Sequence, residues 1–131
     1  MGGVMHHMSS ELWGLRVLVV EDDPIIALDL SWTLEAAGAT VIGPAYRTAE
    51  ALVLLDKELD VAILDFRLET ETAEPIADKP CNRGVPFLFY TSSRGHPQLA
   101  YPGVPIIEKP TRPDKLIAAV RKLTRGQRGA E

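Results

Sequence analysis

Short runs of consecutive apolar residues are the feature of this sequence that most restricts its fold. The run Val61–Leu64 (VAIL) has no polar residue on either face, and Arg16–Val20 (RVLVV) and Pro86–Tyr90 (PFLFY) are nearly as apolar. Strands of this composition are buried on both faces, as they are inside a parallel sheet. The sequence therefore predicts a parallel sheet that is covered by helices on both sides.

Helical segments separate these strands along the chain. The first helix is predicted to begin at Pro24, behind the N-cap Asp23, and to end at Gly38. A second is predicted over residues 48–59, and a last one begins near Pro113. With two further strands over residues 40–43 and 104–108, the pattern predicts an α/β fold with a doubly wound, five-stranded parallel sheet.

Two of the helical crossovers are predicted to be irregular. Pro80 interrupts the third helix after little more than one turn. The connection between the fourth and fifth strands, residues 92–103, contains two glycines and two prolines, which oppose helix formation. The fourth helix is therefore predicted to be shortened or missing.

Length, charge and cysteine content exclude several functional classes. The 131 residues suit one domain, predicted over residues 15–124, with a flexible leader over 1–14 and a flexible tail over 125–131. A formal net charge of -4 argues against nucleic acid as a partner, and the single cysteine, Cys81, excludes a zinc–thiolate cluster. Since no apolar run is long enough to span a membrane and no signal peptide is evident, we expect a cytoplasmic protein without a membrane partner.

Acidic residues stand where two of the predicted strands end. Glu21 and Asp22 follow the first strand, and Asp65 follows the third. In doubly wound sheets the carboxyl ends of the strands form the ligand-binding edge, so these carboxylates are predicted to converge there. Clustered carboxylates repel one another and call for a cation, and an all-oxygen ligand set suits Mg²⁺. Lys109, after the fifth strand, adds a positive charge that can pair with Asp65 or with an anion attached to it.

Four segments, in this order, resemble the receiver domains of two-component response regulators, the CheY-like family. They are VLVVEDDP, LDFRL, YTSS and EKP, each at a predicted strand end within residues 15–124. The resemblance implies a flavodoxin-like fold of receiver type, with Asp65 as the residue that is phosphorylated. It also implies that Thr91 and Lys109 contact the phosphoryl group.

The same resemblance implies a set of ligands for Mg²⁺. Asp22 would bind the metal directly, and Glu21 would bind it through water. Asp65 and the backbone carbonyl of Arg67 would complete the protein ligands.

The function that the resemblance implies is that of a single-domain response regulator in a phosphorelay. It would be a phosphoacceptor rather than a conventional enzyme, and its donor would be a sensor histidine kinase or a histidine phosphotransfer protein. The segment RGVPFLFYTSSRG is similar to the P-F-x-F-x-T-G-Y motif of receivers linked to HWE-type kinases, although Ser92-Ser93 stands in place of Gly-Tyr. The sequence does not identify the protein that receives the output signal.

Three other functions are alternatives to that of a phosphorylated receiver. A phosphatase of the haloacid dehalogenase type would carry a second Asp where Arg67 stands, and a flavodoxin-like cofactor carrier would not place EDDP after its first strand. A pseudo-receiver scaffold that is never phosphorylated is the alternative.

Ile106 departs from the pattern of the family, because most receivers have Tyr or Phe three residues before the lysine. The usual coupling between the threonine and this aromatic residue is therefore not expected here.

Overall fold

In the computed structural model, five parallel strands form the central sheet of the protein. The structure describes residues 9–65, 67–68, 71–72, 77–78, 83–92 and 101–128. The strands of the sheet are β1 (Arg16–Val20), β2 (Thr40–Ala45), β3 (Val61–Leu64), β6 (Phe87–Thr91) and β7 (Ile106–Glu108). They are arranged in the order β2-β1-β3-β6-β7, so the predicted doubly wound parallel sheet is confirmed.

Three longer helices and a small hairpin accompany the sheet, and residues 77–78 and 83 also have helical backbone. The helices are α1 (Pro24–Ala36), α2 (Thr48–Leu54) and α3 (Pro113–Arg128). The hairpin, which was not predicted, pairs β4 (Arg67–Leu68) with β5 (Glu71–Thr72) in antiparallel fashion. The predicted interruption of a third helix at Pro80 and most of the predicted loss of a fourth helix over 92–103 lie outside the described residues.

Both faces of the sheet are covered by apolar side chains, as the continuous apolar strands predicted. One buried cluster joins the sheet to α1 and α3 through residues such as Val17, Leu34 and Val120. The other lies on the α2 side and includes Leu18, Leu55 and Phe89. Alternate residues of β1 contribute to opposite clusters, which is the period-two pattern of a strand. Among the described residues, no helix is both long enough and apolar enough to cross a membrane.

Two helix ends differ from the prediction for local reasons. Helix α2 ends at Leu54 rather than near 59, because the backbone changes there to hydrogen bonds between residues three positions apart. Asp56 N donates to Val53 O, and Lys57 N donates to Leu54 O. Helix α3 extends to Arg128, four residues into the predicted flexible tail. Arginine and glutamine propagate a helix well, so one glycine in this last turn does not end it.

The chain before β1 also differs from the predicted leader. Residues 9–14 lie on the domain, since Ser9 N donates to Ala36 O and Leu12 N donates to Ala37 O, both at 2.8 Å. These bonds satisfy carbonyls at the end of α1 that have no partner within the helix. The side chain of Leu12 is fully buried in the cluster beneath α1 and α3. The domain therefore begins at or before Ser9 rather than at residue 15.

An irregularity in β2 sets the position of the strand beside the first acidic residue. The pairing of β1 with β2 shifts register between Leu18 and Val20, so that Val20 lies opposite Ala45. Gly43 makes this shift possible with a φ of +103°, and a Cβ atom at Gly43 would lie only 2.8 Å from Ala45 N. As a result Ala45 O accepts a hydrogen bond of 2.9 Å from Glu21 N.

Candidate functional site

The carboxyl ends of β1 and β3 hold the acidic residues that the sequence predicted there. Val20 and Leu64 are direct neighbours in the sheet, and the residues that follow them are Glu21 and Asp65. Asp65 N donates to Val20 O at 2.9 Å, which extends the pairing by one step. Both side chains are buried, with residue exposures of 1% for Glu21 and 5% for Asp65. Buried carboxylates this close to each other require a compensating cation.

Lys109 supplies that cation within the protein itself. Its Nζ atom lies 2.7 Å from Glu21 Oε1 and 2.9 Å from Asp65 Oδ2. The ammonium also lies 5.8 Å from the centroid of the Tyr90 ring. The backbone of Lys109 is anchored at the same edge, because Lys109 N donates to Thr91 O at 3.2 Å. The sequence predicted the pair with Asp65, and the structure adds the second ion pair with Glu21.

The two acids after Glu21 have different surroundings. Asp22 is half-buried and offers a carboxylate oxygen to the cluster. The exposed Asp23 instead caps α1, since its Oδ1 accepts hydrogen bonds from Ile25 N at 2.9 Å and Ile26 N at 3.4 Å. Asp23 N in turn donates to Glu21 Oε2 at 3.1 Å. The N-cap role accounts for Asp23, as the sequence predicted.

The carboxylate cluster has the composition and spacing of a magnesium site. Ligand oxygens of Glu21, Asp22 and Asp65 all lie within 4.8 Å of one another. These are hard oxygen donors, and Asp22 is on the more exposed side, where a bound Mg²⁺ would keep several of its waters. The three side chains therefore fit Mg²⁺. A metal there would compete with Lys109 for two of the three carboxylates.

The remaining predicted site residues lie at the same edge of the sheet. Thr91 is the last residue of β6, is 1% exposed, and lies opposite Glu108 of β7. Arg67 begins β4 two residues beyond Asp65.

Ile106 is the first residue of β7 and pairs with Phe89, whose ring packs against Tyr101 at a centroid distance of 5.6 Å. Tyr101 also donates a 2.6 Å hydrogen bond to Asp78, a contact that no sequence pattern indicated.

The pKa values of two site residues reflect burial and ion pairing. Burial raises the pKa of Glu21 to about 7, against the opposing effect of the Lys109 ammonium. Burial alone would lower the pKa of Lys109, but the contacts with Glu21 and Asp65 outweigh it and raise that pKa above its usual value. Lys109 is therefore charged at neutral pH, and protonation of Glu21 is sensitive to pH near neutrality.

This raised pKa predicts a pH dependence of the metal-free protein. Between about pH 4.5 and 7 folded Glu21 keeps a proton that the unfolded chain has released, so the free energy of unfolding should fall as the pH rises. We expect a loss on the order of 2 kcal/mol from this residue. Urea denaturation at pH 5 and pH 8 would measure it in a chelator-containing buffer. The isosteric variant Glu21→Gln should lack this part of the slope, and an equal slope in both proteins would contradict the prediction.

Solved structures with the same architecture show what kind of domain this is. A response regulator receiver protein from Sinorhizobium medicae WSM419 superposes with a TM-score of 0.78 and 24% identity over 88% of this chain and 98% of that one. The chain has the fold of a response regulator receiver domain. SdrG from Sphingomonas melonis Fr1 shares the receiver fold seen here, with a TM-score of 0.74 and 33% identity over 83% of this chain and 95% of that one.

A longer protein also contains this receiver fold. The response regulator PhyR from Brucella abortus matches with a TM-score of 0.76 and 22% identity over 95% of this chain. The match spans about half of PhyR, 51% of its length. No family model and no curated protein matches the sequence. The likeness to receiver domains is thus one of fold, which the order of the strands carries.

Proposed function

We propose that the chain is a response regulator receiver that accepts a phosphoryl group on Asp65. The observation that carries this proposal is the position of the Lys109 ammonium, 2.9 Å from Asp65 and 2.7 Å from Glu21, beside a trio of carboxylates that fits Mg²⁺. The donor would be a phosphohistidine of a sensor histidine kinase or phosphotransfer protein. The resemblance around Pro86–Thr91 supports a kinase of the HWE type.

The transfer requires a nucleophile and neutralisation of charge. A carboxylate oxygen of Asp65 attacks the phosphorus, the P–N bond of the phosphohistidine breaks, and its electron pair stays on the imidazole, which takes up a proton. The product is an acyl phosphate on Asp65. Bound Mg²⁺ would neutralise charge on the phosphoryl oxygens as the bond forms. The proposed ligands are Asp22 and Asp65 directly, Glu21 through water, and the carbonyl of Arg67.

Two further side chains would act on the transferred group. Lys109 is held beside Asp65 Oδ2 by its two ion pairs, so its ammonium can pair with a phosphoryl oxygen without a large displacement. Thr91, whose carbonyl accepts from Lys109 N, would donate its hydroxyl to another oxygen. Because the donor supplies the activated bond, this chain acts as a phosphoacceptor rather than as an enzyme that turns over a substrate.

The direct test is phosphorylation by a small-molecule donor. The purified protein should gain the mass of one phosphoryl group when it is incubated with acetyl phosphate and Mg²⁺, and the adduct should be cleaved by hydroxylamine, as acyl phosphates are. A chelator should prevent the gain. A protein that binds Mg²⁺ but is never phosphorylated by acetyl phosphate or by a phosphohistidine protein would instead be a pseudo-receiver scaffold.

Asp22 tests the metal separately from the phosphoryl chemistry. Replacing Asp22 with Ala removes a ligand and relieves carboxylate repulsion, so Mg²⁺ should bind at least about tenfold more weakly, about 1.4 kcal/mol. The metal-free fold should keep or gain stability. Isothermal titration with Mg²⁺ gives the affinity, and Asp114→Ala on the exposed surface of α3 serves as the matched control. Equal Mg²⁺ affinity in wild type and Asp22→Ala would remove Asp22 from the site.

A further inference from the structure

The outer surface of α1 carries an apolar stripe. Ile25, Leu28 and Trp32 follow the i, i+3, i+7 spacing of one helix face, and their exposed fractions are 79%, 48% and 51%. We call these three residues the α1 stripe. Beyond the end of the helix, Trp13 is also exposed, and its backbone packs closely against Gly38. Exposed apolar side chains that follow one face of a helix commonly mark a contact surface.

The neighbouring helix presents the opposite character. Helix α3 packs on the same side of the sheet as α1, and the two helices touch. Its exposed residues include Lys115, Arg121, Lys122 and Arg125, with the small Ala118 among them. Six of the 14 Lys and Arg residues of the chain lie between Arg112 and Arg128, together with a single acid, Asp114. Helix α1 has two acids, Asp29 and Glu35, and no base.

We propose that the exposed faces of α1 and α3 form a two-fold self-association surface, on which α1 of one copy packs in parallel against α3 of a second copy. A two-fold axis that runs between the helices and parallel to them produces this arrangement and repeats the contact twice. The apolar, acidic helix then meets the small-residue, basic one. The alternative pairing of α1 with α1 would place acids against acids and would leave the basic face uncovered.

The positions of the residues along the two helices agree with this pairing. Both helices begin at the carboxyl edge of the sheet, so a parallel arrangement places equivalent turns opposite each other. Leu28 and Ala118 lie in the second turn, where the small side chain leaves room for the large one. Trp32 and Lys122 lie in the third turn, where a cation–π contact can form. Glu35 and Arg125 lie in the fourth turn and have opposite charges.

Sedimentation equilibrium over low to high micromolar concentration tests this surface. The wild-type protein should form a dimer reversibly, and added salt should weaken the association. Trp32→Ala, Glu35→Lys and Arg125→Glu should each weaken it by about tenfold, since every change affects two symmetric contacts. Val53→Ala, which shortens an exposed apolar residue on α2, should leave association unchanged.

The charge-swapped double variant distinguishes the proposed pairing from general stickiness. Glu35→Lys combined with Arg125→Glu restores opposite charges across both contacts, so it should associate more tightly than either single variant. The side chains substituted in these tests are all exposed, and circular dichroism would verify that each variant folds. They are Trp32, Glu35, Val53 and Arg125. The proposal would be overturned if the wild-type protein stayed monomeric at every concentration, even if its α1 stripe bound a helical phosphodonor. It would also be overturned if the double variant associated no more tightly than the single variants.

Discussion

Asp65→Asn should take up no phosphoryl group under conditions that label the wild-type protein completely. The substitution keeps the shape of the side chain and removes the nucleophilic oxygen charge, so the fold should survive while the acceptor is lost. One of the two ion pairs of Lys109 also disappears, but its 2.7 Å contact with Glu21 remains. Intact-mass measurement over time with acetyl phosphate and Mg²⁺ gives the extent of labelling.

A matched control separates the acceptor from carboxylates in general. Asp114→Asn changes an exposed aspartate on α3 that pairs with Arg112, and it should be labelled like the wild type. If Asp65→Asn were labelled at the wild-type rate, the phosphoryl acceptor would be a residue other than Asp65. Peptide mapping of the wild-type adduct after borohydride reduction would then locate it.

Lys109→Met should cause the largest loss of stability of any substitution in the site. The ammonium neutralises two carboxylates whose side chains are 1% and 6% exposed, and methionine fills a similar volume without the charge. Removing one partner from a buried ion pair typically costs about 3 kcal/mol or more, because the remaining charge is left without compensation. Urea denaturation of the metal-free protein at pH 8 would measure the change.

Two further measurements identify the origin of that loss. At pH 5 Glu21 can take up a proton, so the difference between Lys109→Met and the wild type should shrink. Mg²⁺ should restore part of the stability at pH 8, since it supplies another cation to the same carboxylates. Lys115→Met, on the exposed face of α3, should be almost neutral. A loss in Lys109→Met that is independent of both pH and Mg²⁺ would indicate a packing defect instead.

The central sheet could be predicted from the sequence because its strands are short, apolar on both faces and separated by helical segments. The same pattern located the strand ends, and hence the convergence of Glu21, Asp22 and Asp65. The second ion pair of Lys109 could not be predicted in this way. It depends on the distance between β1 and β7, which have β3 and β6 between them in the sheet, and no local pattern encodes that distance.

Chain-end features were predicted less well for a related reason. Leu12 is one apolar residue among polar neighbours, so it has no periodicity, and its burial depends on a space left beneath α1 and α3. The early end of α2 likewise follows from hydrogen bonds of Asp56 and Lys57 rather than from propensity. The role of Asp65, the HWE-type donor and the Mg²⁺ ligands stay predictions.

The position of Leu12 has a practical consequence for protein engineering with this domain. A fusion or truncation whose junction is placed at the first strand would delete a fully buried leucine and expose the carbonyls of Ala36 and Ala37. The resulting cavity would resemble that of a Leu→Ala core substitution, which costs about 2–5 kcal/mol. Such a fragment would unfold more easily than the intact domain, so its measured stability would be misleadingly low. Fusions that carry this domain should therefore have their junction upstream of Ser9.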